Sequence, residues 1–309
     1  MTDRVDVVSL SGGKDSQAAA AICLDQRAAD GDVRILFCDT GNEHPITLDH
    51  IAYLSDYFGV EVVTLRENFD ARIAAKREYI MTKWPADGIP IHICERAASM
   101  MVPTGNPFLD LCIWKGRFPS RRAQFCTQEL KRRPLDRYMI DVLATGAEAY
   151  SWQGTRRDES PKRAGLVERE RSAEGWWIER PVVSWTARQV VDFCVGRGQK
   201  MNPLYSEGFN RVGCAPCINS GKSDVLNWSR RHPEVFDRLR EWESLISQAS
   251  KRGVASFFPA PNKGGRGDRQ GKNVTAYVEW SKTSHGGVQY DLVKAIDSQS
   301  CVSSYGLCE

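Results

Sequence analysis

Ser11-Gly12-Gly13-Lys14-Asp15-Ser16 brings two glycines, a cation, a carboxylate and two hydroxyls into one short stretch. An apolar run, Val5-Asp6-Val7-Val8-Ser9-Leu10, precedes it, and Ala18-Ala19-Ala20-Ala21-Ile22 follows. The first run predicts a buried strand and the second the start of a helix. Strand, glycine turn and helix together make an anion site: the glycines let the backbone approach a phosphate, and the first N–H groups of the helix point at its oxygens. Lys14 adds positive charge, and Ser9, Ser11 and Ser16 add hydroxyl donors. The adjacent glycines separate the loop from the Walker A spacing, in which four residues part the glycines. The plain alternative is a glycine turn carrying an exposed lysine.

Two further groups could do chemistry. Gly154-Thr155-Arg156-Arg157-Asp158-Glu159-Ser160-Pro161-Lys162-Arg163 offers guanidinium forks that grip phosphate or sulfate oxygens bidentately, or else an exposed ion-pair loop. Gly213-Cys214-Ala215-Pro216-Cys217 is a CxxC stiffened by proline, a spacing used by iron–sulfur clusters, zinc and dithiol redox pairs alike.

The elements that must position these groups follow from the patterning. A second strand, 33–39, ends in Cys38-Asp39-Thr40-Gly41-Asn42-Glu43-His44-Pro45; a helix is expected over 46–58 and a third strand over 60–65. This alternation predicts right-handed crossovers and an α/β fold, a doubly wound and mostly parallel sheet with helices on both faces. Ligands of such sheets bind beyond the carboxyl ends of the strands, where both Ser11–Ser16 and Asp39-Thr40-Gly41 fall. Asp39 could hold magnesium or a ribose, or cap the helix before Pro45. From 66 to 107 the recurring prolines and glycines predict an irregular lid. Thr186 is expected to cap a helix that buries Val190, Val191 and Val195. The stretch 223–250 reads as helical with a break at His232-Pro233. The Gly- and Lys/Arg-rich 251–272 reads as a mobile basic loop.

The chain has 309 residues, 41% of them hydrophobic, and a formal net charge of +3. No apolar run of 18 or more residues occurs, and Met1-Thr2-Asp3-Arg4 leads straight into the first strand. A cytoplasmic protein without membrane contact is expected, its ten cysteines serving as thiols or ligands and not as disulfides. Between Lys115 and Arg137 stand eight Lys or Arg against Glu129 and Asp136, with Phe118 and Phe125 among them. Such a surface tracks a phosphate backbone or is merely a solvated helix face.

SGGKDS after a first strand resembles the pyrophosphate loop of the ATP pyrophosphatase superfamily. Together with Phe125-Cys126-Thr127-Gln128-Glu129-Leu130-Lys131-Arg132-Arg133-Pro134-Leu135, the Gly154–Arg163 loop, Arg180-Pro181-Val182-Val183-Ser184-Trp185-Thr186, Asn202-Pro203-Leu204-Tyr205 and the CxxC, it resembles the phosphoadenosine phosphosulfate (PAPS) reductase family over residues 5–217. The resemblance implies an adenine nucleotide α-hydrolase-like fold and two regions: a nucleotide-binding domain at 1–217 and a C-terminal helical and basic-loop region, with terminal cysteines, at 218–309. It also implies an adenine nucleotide on Ser9, Ser11, Gly12, Gly13, Lys14, Asp15, Ser16, Asp39, Thr40, Gly41, Gly154 and Arg163. Lys14, Asp15, Arg156 and Arg157 would carry the chemistry, with Mg²⁺. Cluster-bearing adenylylsulfate reductases have a Cys-Cys pair where this chain has Cys126-Thr127. Three cluster ligands, Cys126, Cys214 and Cys217, therefore match, and Cys308, Cys301 or Cys112 is expected to supply the fourth of a four-iron site. Cys23, Cys38 and Cys194 read as ordinary buried thiols.

The family's reductases usually lack the Lys and Asp of the first loop and place their nucleophile in a C-terminal ECGxH-like segment. This chain keeps SGGKDS and ends in YGLCE. The expectation is therefore ATP cleavage to AMP and pyrophosphate, activating an oxygen that sulfur replaces, as in nucleobase thiolation or DNA phosphorothioation. A cysteine desulfurase or thioredoxin-like donor would act as partner. A thiol-dependent sulfate-ester reductase and a non-catalytic nucleic-acid-binding module are the alternatives.

Overall fold

The structure is a computed structural model that describes residues 3–27, 31–258 and 273–284. In order it runs β1 (Arg4–Leu10), α1 (Lys14–Arg27), β2 (Asp32–Asp39), α2 (Pro45–Phe58), β3 (Val62–Arg66), α3 (Asp70–Ala86), α4 (Ile91–Ser99), α5 (Pro107–Lys115) and α6 (Phe125–Thr127). A π-turn (Gln128–Arg132) leads into α7 (Arg133–Ala144), and then come β4 (Glu148–Gln153), β5 (Arg169–Arg171), β6 (Trp177–Glu179), α8 (Ala187–Gly196), α9 (Lys222–Arg231), α10 (Glu234–Ala249) and α11 (Val274–Ser281). The described strands form a six-stranded sheet of order β3-β2-β1-β4-β6-β5, parallel except for β5, which runs antiparallel to β6.

Side chains of β1 alternate between two apolar environments, as the period of a strand requires. Val8 and Leu10 pack with Ala20 and Cys23 of α1 and with Ile51 and Leu54 of α2. Val5 and Val7 face the other way, onto Met139 and Val142 of α7. The fold is therefore α/β and doubly wound, as the alternating pattern predicts. After β1 the chain moves outward to β2 and β3, then returns to lay β4 on the other side. The topological switch lies between β1 and β4, the crevice where open α/β sheets hold ligands.

The stretch 66–107 departs from the expected irregular lid. It holds α3 and α4 and leads into α5, because its prolines fall where helices tolerate them. Pro85 lies in the last turn of α3, Pro90 is the cap of α4, and Pro107 opens α5 with Asn106 accepting the Leu109 N–H at 3.0 Å. These helices bury Ile73, Ile80, Cys94 and Ile113 against Trp228, Phe236, Leu239 and Trp242 of α9 and α10. Thr186 caps α8 as expected, with its hydroxyl accepting the Gln189 N–H. Val190 and Val191 are buried, but Val195 is 52% exposed, since it lies beyond the edge of the buried stripe. His232 ends α9 and Pro233 precedes α10, so the expected break is present. Of the basic loop 251–272, residues 259–272 lie outside the described residues, as do Cys301 and Cys308. No described helix is long and apolar enough to cross a membrane.

Candidate functional site

The glycine loop closes on itself. The Ser11 N–H donates to Ser16 Oγ at 3.1 Å, the two hydroxyls lie 3.0 Å apart, and Ser16 Oγ donates to the Gly13 carbonyl at 2.9 Å. Gly12 has a φ of +74°, and a Cβ there would sit 2.7 Å from Thr47 Cγ2, so both backbone and space require glycine. Asn202 Nδ2 donates to the Gly12 carbonyl at 3.0 Å, and the Tyr205 hydroxyl accepts the Lys14 N–H at 3.1 Å. Neither Asn202 nor Tyr205 had a role beyond the family match. Their contacts join residues almost two hundred positions apart, which no local pattern reveals.

Lys14 is only 4% exposed, and its Nζ lies 2.8 Å from Asp15 Oδ2. The other oxygen of Asp15 accepts from Arg156 Nε at 2.6 Å, so one carboxylate holds two cations. Arg156 is buried and also pairs with Asp158. Burial works against its charge, but these two carboxylates outweigh burial and raise its pKa. Gly154, just past β4, carries Arg156 to the loop. A Cβ on Gly154 would meet backbone atoms of Asp15 and Ser16 at 2.3 Å, so contact across the switch point requires its bare Cα. Arg157 is not brought in: it is exposed, and its Nε donates to the Leu166 carbonyl at 2.7 Å.

Beyond β2, Asp39 does not cap α2. One of its oxygens accepts the Gly41 N–H at 2.8 Å and the other pairs with Arg66 at 2.8 Å, while His44 caps the helix by accepting the Ile46 N–H at 3.3 Å. Thr40 gives its N–H and hydroxyl to Glu43 at 3.0 and 2.7 Å. Glu43 is buried; desolvation raises its pKa, opposed by Lys131 and the Thr40 bond. Asn42 then docks the CxxC: its carbonyl accepts the Ala215 N–H at 2.7 Å and its Nδ2 donates to the Pro216 carbonyl at 3.1 Å.

Cys126, Cys214 and Cys217 line one cavity of about 460 Å³, together with Thr40, Asn42 and Lys131. Glu159, Ser160, Lys162, Arg163 and Arg211 form its cationic side, with Arg163 paired to Glu159. Burial raises the thiols of Cys126 and Cys214, and Lys131 pulls both back. The Lys131 ammonium is in turn held charged first by Cys214, then by Glu43, Cys217 and Cys38, against the cost of desolvation. Lys131 also lines a small cavity of about 90 Å³ with Ser9, Ser11, Cys38, Glu43 and Gly213. One lysine thus walls both the glycine loop and the thiols. It sits in the π-turn, whose extra residue per turn re-aims side chains and recurs at functional sites. Cys112 is fully buried and close enough to Cys126 to raise its own thiol further, though burial is the larger cause and it does not line the cavity. Cys23, Cys38, Cys94 and Cys194 are buried.

Comparison with known proteins bears on this site directly. Residues 110–220, which carry Cys126, Lys131, the arginine loop and the CxxC, match the phosphoadenosine phosphosulfate reductase domain. The chain belongs to the PAPS reductase family. An uncharacterized 37.8 kDa protein of Escherichia phage 186 is 38% identical across 99% of this chain and 97% of its own length. The phosphoadenosine 5'-phosphosulfate reductase of Gloeobacter violaceus is 34% identical over 106 residues, covering 34% of this chain and 41% of that protein. Among solved structures, the PAPS reductase from Candida auris in phosphate complex aligns with 68% of this chain and 80% of its own, at 13% identity and a TM-score of 0.40. Members of the family are enzymes of sulfur chemistry, and this chain carries the family's domain within the α/β, mostly parallel sheet described above.

Proposed function

We propose that this PAPS reductase family member is an ATP pyrophosphatase: it cleaves ATP to AMP and pyrophosphate, adenylates an acceptor oxygen, and prepares that oxygen for replacement by sulfur. One observation carries the reading. Lys131 lines both the three-thiol cavity and the small cavity walled by Ser9 and Ser11 at the start of the glycine loop, the loop that also carries the Lys14–Asp15–Arg156 chain. In this assignment the phosphates rest on Ser11 to Ser16, with Ser9, Thr40, Gly41 and Gly154 as further walls. Lys14 and Arg156 offset charge on the departing pyrophosphate, and Asp15 holds the two cations at fixed separation until the phosphates share them. Asp39 would supply a carboxylate to Mg²⁺ once Arg66 swings away. The acceptor oxygen attacks the α-phosphorus, the α–β bridging bond breaks, and the electron pair leaves with pyrophosphate. A sulfur nucleophile then displaces AMP from the adenylated carbon or phosphorus.

The thiol cavity fits a metal–sulfur group by its donor set, three thiols beside Lys131, whose charge partly offsets the burial that raises Cys126 and Cys214. A lone zinc with Zn–S near 2.3 Å needs sulfurs about 3.8 Å apart. Among the described residues, the trio that brings its ligand atoms within 4.8 Å of one another is not this one. Their shared cavity supports an iron–sulfur cluster on Cys126, Cys214 and Cys217, the three ligands the resemblance implies, with Cys308 taken as the fourth ahead of Cys301 and Cys112. Bound there, such a cluster would supply an iron able to carry incoming sulfide.

The acceptor we infer is a nucleic acid. Several basic residues of 115–137 are already paired, Lys115 and Arg133 with Glu129 and Arg137 with Glu67; Arg121 and Arg122 are exposed and close in sequence to Gln124 at the cavity, Arg121 donating to the Ser220 carbonyl at 3.2 Å. A cysteine desulfurase or thioredoxin-like protein would act as sulfur or electron donor. The test is anaerobic incubation of the full chain with labelled ATP and candidate acceptors, followed by separation of AMP, ADP and sulfite. AMP with pyrophosphate, lost in a Lys14→Ala variant that still unfolds cooperatively, is the expected result. Sulfite from an adenylylated sulfate, with no ATP cleavage, would hand the site to the reductase reading.

A further inference from the structure

A second cluster of ligand-type side chains lies outside the nucleotide and thiol sites. His44, at the cap of α2, faces His232, between α9 and α10, with ring centroids 4.4 Å apart and planes at 65°. Glu234, in the first turn of α10, completes the group. Its Oε1 lies 3.8 Å from His44 Nε2 and 3.5 Å from His232 Nδ1, and one ligand atom from each residue falls within 4.8 Å of the others. A tetrahedral ion with bonds of 2.0–2.2 Å to nitrogen and oxygen spaces its ligands about 3.4 Å apart, close to these edges.

The surroundings of His232 are those of a metal-binding histidine. His232 Nε2 is 2.6 Å from Glu207 Oε2, a contact that orients the ring with Nδ1 toward the other two ligands. Trp228 packs beside both imidazoles, at 5.4 Å from His44 and 5.3 Å from His232, and restricts their rotation. The His44 side chain is 9% exposed and that of His232 14%, whereas that of Glu234 is 64% exposed, so the open coordination position faces solvent. His44 Nδ1 accepts the Ile46 N–H at 3.3 Å, a long bond that must be given up when Nε2 ligates. Arg238, one turn beyond Glu234, is committed to the Ala215 carbonyl at 2.6 Å and to Asn42 Oδ1 at 3.1 Å.

We propose that His44, His232 and Glu234 bind a divalent transition-metal ion, zinc by ligand chemistry, which clasps the α9–α10 junction to the first turn of α2 beside the loop that docks the CxxC. Two imidazoles and a carboxylate with one open position suit zinc better than the hard cations, which prefer all-oxygen sites. The assignment does not depend on the proposed reaction, since none of its ligands touches the glycine loop or lines the thiol cavity.

Cobalt(II) is the probe, because thiolate ligation adds an intense charge-transfer band in the near ultraviolet that nitrogen and oxygen ligands lack. Chelator-stripped, anaerobic full-length chain titrated with Co²⁺ should show one equivalent with ligand-field absorption and no charge transfer, displaced by Zn²⁺. Glu234→Gln, at an exposed position, should weaken that equivalent by about tenfold or more while leaving the metal-free Tm unchanged. Glu234→His should retain it, and added Zn²⁺ should raise the Tm of the wild type but not of Glu234→Gln. Cobalt bound only with thiolate charge transfer, or with unchanged affinity in Glu234→Gln, would overturn the site and leave the histidines as packing.

Discussion

Gly154 is where a single added carbon is expected to do most harm. Its Cβ would lie 2.3 Å from the Asp15 carbonyl and the Ser16 nitrogen, atoms that are backbone and cannot rotate aside. Gly154→Ala should therefore push β4 from the loop, destabilising the fold by about 1–3 kcal/mol and separating Arg156 from Asp15. Thermal unfolding beside ATP binding checks this: unchanged values for both would mean the contact relaxes freely. His50 sets a different limit. It is 4% exposed, its Nε2 lies 3.1 Å from Gln17 Oε1, and burial depresses its pKa to about 4. The unfolded imidazole binds its proton near pH 6.5 and the folded one near pH 4, so the unfolded state holds more protons between these values. Stability from keeping His50 neutral is complete above pH 6.5 and falls as pH drops toward 4, by at most about 3 kcal/mol. His50→Gln should flatten that acid limb in urea titrations at pH 7, 6 and 5; parallel curves would clear His50.

At the scale of elements, the π-turn between α6 and α7 matters more than its length suggests. Regular α-helical spacing through 128–132 would give Lys131 a different direction, whereas the turn brings it to Cys214, Glu43 and Cys217. If that charge assists pyrophosphate departure, Lys131→Met should slow AMP formation about 100-fold, and Lys131→Arg, which keeps the charge, much less. Equal rates in the two variants would remove the charge of Lys131 from the chemistry. The prolines of 66–107 teach a related point about helices. Proline lacks an N–H and fixes φ, which ends a helix in its middle but suits its first residue, so the same composition fits a loop or a set of capped helices.

Across the whole molecule, one apolar cluster runs through α3, α4 and α5, the segment from Leu204 to Ile218, and α9, α10 and α11. We propose that the division at 217/218 marks a division of labour and not of folding. Cutting there would expose the partners of Trp228, Phe236, Leu239 and Trp242, all buried in the full chain. Each large apolar side chain is worth about 1.5–3 kcal/mol when buried, against a typical net stability of about 5–15 kcal/mol. The fragment 1–217 should thus lack near-ultraviolet circular dichroism and bind no nucleotide. A cooperative thermal transition in that fragment would show that the cluster is dispensable.

The sequence alone determined the α/β class, the first strand–loop–helix and the cap at Thr186, because these rest on short apolar runs, helical patterns and turn chemistry that act within a few residues. It also made the CxxC visible, and through the family resemblance it singled out Cys126. The tertiary structure decided which groups meet. Arg156 and Arg157 are neighbours of identical chemistry, yet one is buried against Asp15 and the other lies on the surface, a choice made by the close approach of Gly154. Lys131 and Glu43 carry no local mark of function, and only the packing of the π-turn against β2 puts Lys131 on both cavities and Glu43 beside it on the smaller one. His44, His232 and Glu234 converge from segments nearly two hundred residues apart. Local patterns fix backbone conformation, whereas the partner of a side chain depends on the long-range packing of the folded chain.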